Sequence, residues 1–133
     1  MFEWNEKYVL DIEGIDAQHR GLVDLINRLF AAMQSGAGKD VLDVTLDGLL
    51  DYTRKHFLTE ELLMDNYDYP GLPEHQQEHR KLTEEVLKFQ AEFNAGNTGI
   101  AIQLITFMRD WLDNHICEAD KQYASFLRQH GVR

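Results

Sequence analysis

Basic residues, cysteine and long apolar runs are scarce in this 133-residue chain, and each shortage excludes something. Only 13 Lys and Arg face 23 Asp and Glu, a formal charge of −10 at pH 7. A field of that sign repels phosphate backbones and anionic lipids, so neither nucleic acid nor a membrane surface is an expected partner. The single cysteine, Cys117, excludes an intrachain disulfide and a thiolate zinc cluster. No stretch approaches the ~20 apolar residues that span a bilayer, and no stable membrane insertion is expected. The opening Met-Phe-Glu-Trp-Asn-Glu-Lys-Tyr does not read as a secretory signal. A cytoplasmic monomer is the expectation.

Proline and glycine are also few, and they cluster at Ser35-Gly36-Ala37-Gly38, at Asp68-Tyr69-Pro70-Gly71-Leu72-Pro73 and at Ala95-Gly96-Asn97-Thr98-Gly99. The segments between carry apolar residues at spacings of three and four, with none of the alternation of a half-buried strand. The pattern predicts an all-α fold in one domain, residues 1–133. Its helices are expected at about 16–35, 40–67, 73–94 and 99–117, after an irregular arm over 1–15 and before a short final helix at about 119–130. Asp16 and Asp40 suit N-caps, and Pro73 suits a first turn. Short connections make neighbouring helices antiparallel, which gives an up-down-up-down four-helix bundle.

Six histidines are present, and five of them share the core-facing stripes with Leu, Ile and Phe: His19, His56, His75, His79 and His115. Glu60 joins them. One buried histidine is ordinary core chemistry. Five with a carboxylate are not, because each unpaired buried polar group costs about 1–3 kcal/mol against a total stability of about 5–15 kcal/mol. A metal centre removes that cost. His56 and Glu60 are four residues apart, as are His75 and His79, so each pair shares a helix face. In an antiparallel bundle the start of the first and third helices and the end of the second and fourth meet at one end, where all these residues fall. Asp120, five residues after His115, lies off that face in a regular helix and reaches the site only if the helix bends or ends between them.

These residues resemble the bacterial hemerythrin family, over essentially the whole chain. The resemblance rests on Gln18-His19, on His56-Phe57-Leu58-Thr59-Glu60-Glu61, on His75-x3-His79 and on His115-Ile116-Cys117-Glu118-Ala119-Asp120. The five-residue step to Asp120 is part of the family pattern. The resemblance implies two irons with an oxo or hydroxo bridge, cycling between ferrous and ferric. One iron would be held by His75, His79 and His115, the other by His19 and His56, with Glu60 and Asp120 bridging. Two octahedral irons so held keep one open position, on the two-histidine iron, for a small ligand. The implied function is reversible dioxygen binding, as carrier, store or supplier, with an oxygen-consuming enzyme as recipient and no catalytic turnover. Family pocket positions fall on Leu22, Phe57, Trp111, Leu112 and Ile116, whose apolar side chains would hinder water and protons. Gln18 and Tyr123 match positions behind the ligands.

Other readings compete. Within the same fold, dioxygen, redox or nitric-oxide sensing and iron-related roles are alternatives. His75-x-x-Glu78-His79 matches a zinc-peptidase pattern, with Glu78 as general base. That reading leaves three histidines unexplained, and Glu78 is expected to face solvent. Glu61 is expected to be dispensable beside Glu60. His130 and Cys117 are expected to stand apart from the centre.

Overall fold

The computed structural model of the chain describes residues 2–97 and 99–133, and Thr98 of the third connection lies outside them. A short 3-10 turn at Glu6–Tyr8 precedes α1 (Glu13–Gln34), α2 (Lys39–Asn66), α3 (Leu72–Asn94) and α4 (Ile100–His115). A single π-helical turn, Ile116–Asp120, then joins α4 to α5 (Lys121–Gln129). No strand occurs among the described residues, and no helix is long and apolar enough to cross a membrane.

Helix α1 packs on α2 and α4, and α3 packs on the same two, which closes a four-helix bundle. Its core is lined by residues at helical spacing, among them Leu22, Ile26 and Leu29 of α1, Leu46 and Leu49 of α2, Leu82 and Val86 of α3, and Leu104 and Met108 of α4. The chain reverses at Gly36 and Gly96, each in the left-handed region at φ +75° and +106°. There the amides of Gly36 and Ala37 bond back to the carbonyls of Met33 and Ala32, and those of Gly96 and Asn97 to Phe93 and Glu92. These glycine C-caps satisfy carbonyls that a helix end leaves free.

Two capping expectations need correction. Helix α1 begins at Glu13 rather than at Asp16, so Asp16 sits inside the first turn. Its buried carboxylate instead accepts the amides of Leu10 and Asp11, at 2.9 and 3.1 Å, and ties the N-terminal arm to the helix. Asp40 likewise stands in the first turn of α2, with Gly38 at the cap. Pro73 does occupy the first turn of α3. The arm, residues 2–12, is held to the bundle: Phe2, Tyr8, Leu10 and Ile12 are buried, and the Tyr8 hydroxyl donates to Asp113 Oδ1 of α4 at 2.5 Å.

Candidate metal centre

His19 stands near the start of α1, His56 and Glu60 near the end of α2, His75 and His79 near the start of α3, and His115 at the end of α4. They meet at one end of the bundle, which requires antiparallel neighbours. Asp120 closes the group from the π turn. In that wider i→i+5 turn, residue i+5 comes nearly over residue i, so Asp120 faces the same space as His115. The turn also settles a mismatch of phase. The buried stripe of α4 (Met108, Leu112, His115) and that of α5 (Tyr123, Ala124, Leu127) are out of step by about one residue, and the extra residue lets both face inward.

All seven side chains are at least 96% buried. The ligand atoms available from Glu60, His75, His79, His115 and Asp120 lie within 4.8 Å of one another, and so do those of His19, His56 and Glu60. The Asp120 carboxylate stands between the two groups. Its Oδ1 is 3.0 Å from Nε2 of both His75 and His115, and its Oδ2 is 3.2 Å from Nε2 of His19. Glu60 spans them too, with Oε1 at 3.2 Å from His56 Nε2 and 3.4 Å from His79 Nε2, and Oε2 at 3.6 Å from His19 Nε2.

These approaches are not hydrogen bonds. Both nitrogens of His19, His79 Nε2, Glu60 Oε1 and both Asp120 oxygens are buried without a hydrogen-bond partner. Outside the cluster, His56 Nδ1 donates to Gln18 Oε1 at 2.6 Å, and His79 Nδ1 donates to Glu61 Oε2 at 2.8 Å. Those partners place the ring proton on Nδ1 and leave the Nε2 lone pair facing the carboxylates. Lone pairs on nitrogen and oxygen at 3.2–3.4 Å repel unless a cation lies between them. The donor set, imidazole and carboxylate without thiolate, fits such a cation of the iron class.

The metal-free site compensates with protons. Burial lowers the affinity of His19 for a proton, but Asp120 and Glu60 raise its pKa to about 10. Burial by itself would raise the pKa of Glu60, yet His56, His19 and His79 hold it well below the ordinary value of 4.5. Burial and Glu60 push Asp120 up, while His115 and His19 prevail and hold it below 3.8. Tyr123 is fully buried and its hydroxyl donates to Glu60 Oε2. Burial and that carboxylate keep the phenol well above its usual pKa.

The apolar residues marked in the sequence divide into two kinds. The Phe57 ring stacks on His79 at 3.7 Å and an interplanar angle of 3°, and Trp111 stacks on His115 at 4.2 Å and 16°. Leu22, Leu112 and Ile116 are buried in the core. Phe57 and His79 also form part of the wall of a groove of about 340 Å³ between α2 and α3, with Arg54 and Arg80 along it.

Three residues stand differently from their sequence reading. Glu61 is no bystander, since it carries the His79 contact above. Glu78 is exposed as expected, yet its Oε1 reaches 3.4 Å from His115 Nδ1. That places it behind the ring, away from the Nε2 atoms where a peptidase base would work. Tyr52 was unmarked. Its hydroxyl donates to the Gln18 carbonyl at 3.1 Å in the space left by Gly21, where a Cβ would collide with it. Glu61 stood in the quoted motif and Glu78 in the peptidase pattern, while Tyr52 gave no signal in the sequence. Cys117 is half-buried and outside the cluster, and His130 caps α5 with Nδ1 donating to Phe126 O at 2.8 Å.

A helical bundle with histidines and carboxylates gathered at one buried end defines a cation-binding class of protein. The chain belongs to the hemerythrin family: residues 10–127 match the family described as the Hemerythrin HHE cation binding domain. It is 32% identical over 127 residues to a bacteriohemerythrin of Stenotrophomonas maltophilia, covering 96% of this chain and 82% of that one. It is 35% identical over 112 residues to a bacteriohemerythrin of Methylococcus capsulatus, covering 84% and 85%. A crystal structure of wild-type hemerythrin superimposes with a TM-score of 0.84 at 31% identity, covering 94% of this chain and 96% of the other.

Proposed function

We propose that this chain binds dioxygen reversibly at a non-haem di-iron centre and serves as a carrier, store or supplier rather than as an enzyme. The supporting observation is the pair of ligand groups that share Glu60, with Asp120 standing between them, and whose buried nitrogens and oxygens include many with no hydrogen-bond partner. In this reading His75, His79 and His115 hold one iron and His19 and His56 the other. Glu60 and Asp120 would bridge them, together with an oxo or hydroxo group. The two ferrous ions that these residues would hold would supply the electrons for reversible dioxygen binding.

The chain's own residues make that exchange reversible. Gln18 and Glu61 fix the rings of His56 and His79 through Nδ1, which keeps Nε2 aimed inward. Tyr123 holds the free side of Glu60. Leu22, Leu112 and Ile116, with Phe57 and Trp111, exclude water and the protons it would deliver. A cytoplasmic monomer that hands dioxygen to an oxygen-consuming enzyme is the setting we propose. The test is the absorption spectrum of ferrous-loaded protein under air and then under argon. A visible band that appears and then disappears supports the reading, and oxidation in a single irreversible step would defeat it.

A further inference from the structure

A second opening reaches the candidate centre, and its chemistry differs from that of the α2–α3 groove. It is a groove of about 370 Å³ at the end of the bundle, lined among others by Tyr69, Glu74, His75, Glu78 and Gln122. Its charged groups are acidic, with no Lys or Arg in the lining, whereas in the other groove Arg54 and Arg80 offset Glu61 and Glu84. His75 is only 3% exposed, yet it forms part of this wall. On its inner side, Nε2 stands 3.0 Å from Asp120 Oδ1. Its Nδ1 makes no hydrogen bond among the described residues, in contrast to His56 and His79, whose Nδ1 atoms are committed to Gln18 and Glu61. Beside it, His115 Nδ1 is buried without a hydrogen bond, 3.4 Å from Glu78 of the same groove.

We infer that this acidic groove is the loading route for the metal: a hydrated divalent cation is drawn to Glu74 and Glu78 and passes the His75 wall to Asp120. The inference rests on the di-iron reading of the centre. Acids at a mouth concentrate a cation and speed its entry, and the opposite sign slows it. The α2–α3 groove, where Arg54 and Arg80 offset Glu61 and Glu84, has no such excess of acid to draw a dication. Final occupancy is fixed by the ligands and does not depend on the route.

The test follows anaerobic uptake of ferrous ion by the full-length metal-free protein, and its loss from the loaded protein to a ferrous chelator. Glu74→Lys reverses the charge at the mouth, Gln122→Trp narrows it, and Glu84→Lys makes the same charge change beside the other groove. Glu74→Lys is expected to slow uptake roughly three- to tenfold at low ionic strength, with the difference shrinking at ~0.5 M salt. Gln122→Trp is expected to slow both uptake and loss at any salt, and Glu84→Lys to load like the unmodified protein. All three should reach the same iron content. Equal rates in all, or a Glu84→Lys effect as large as that of Glu74→Lys, would overturn the route. An unmodified chain that takes up no iron would overturn the site reading and the route with it.

Discussion

Glu60 and Glu61 are neighbours in sequence with different tasks. Glu60 is completely buried among His19, His56 and His79, and with Asp120 it is one of two buried carboxylates that face both ligand groups. Glu60→Ala is therefore expected to abolish the spectrum of the paired centre. Glu61 touches only the outer nitrogen of His79, so Glu61→Ala is expected to keep that spectrum while metal affinity falls about 10- to 100-fold. Competition with a ferrous chelator measures both, and equal losses from the two variants would contradict the assignment. Leu112, 2% exposed on α4, makes a different test. Leu112→Asn should bring water toward the centre and shorten the lifetime of the oxygenated form at unchanged iron content. An unaltered lifetime would show that Leu112 does not guard the site.

The π turn is the element on which the centre depends. Inserting an alanine between Glu118 and Ala119 is expected to carry Asp120 about 100° further round the helix axis from His115. Far-ultraviolet circular dichroism should show helix content retained, while iron bound per chain falls. Full iron content in the insertion variant would contradict the role given to the turn. The same element shows how far the sequence could be read. His56 with Glu60, and His75 with His79, were legible because an α-helix brings i and i+4 together. The five-residue step from His115 to Asp120 announced a departure from that geometry without saying which departure. Asp16 and Asp40 misled as caps because an acid is equally at home inside a first turn, where it meets the helix dipole. Tyr52 and Glu78 reach the centre through partners on other helices, and spacing along one helix carries no signal of such contacts.

At the scale of the whole molecule, stability and metal content are linked through the same buried groups. Glu60 and Asp120 have folded pKa values below their unfolded ones, so their contribution is present above about pH 4 and is lost as pH falls. His19 has a folded pKa raised to about 10, so its contribution is complete below about pH 6.5 and is lost as pH rises through about 10. The metal-free protein is therefore expected to melt highest at about pH 5–6 and lower on either side. The loaded protein should show a flatter profile through neutral and alkaline pH, since a cation then does the work of the proton. Thermal melts of both forms over that range check it, and identical profiles would contradict the linkage.

Anaerobic titration of the metal-free protein with ferrous iron tests the central claim most directly. Five histidines and two carboxylates at one buried end form two ligand groups that share Glu60, with Asp120 between them. The expected result is an endpoint at two irons per chain. An endpoint at one iron would contradict a di-iron centre.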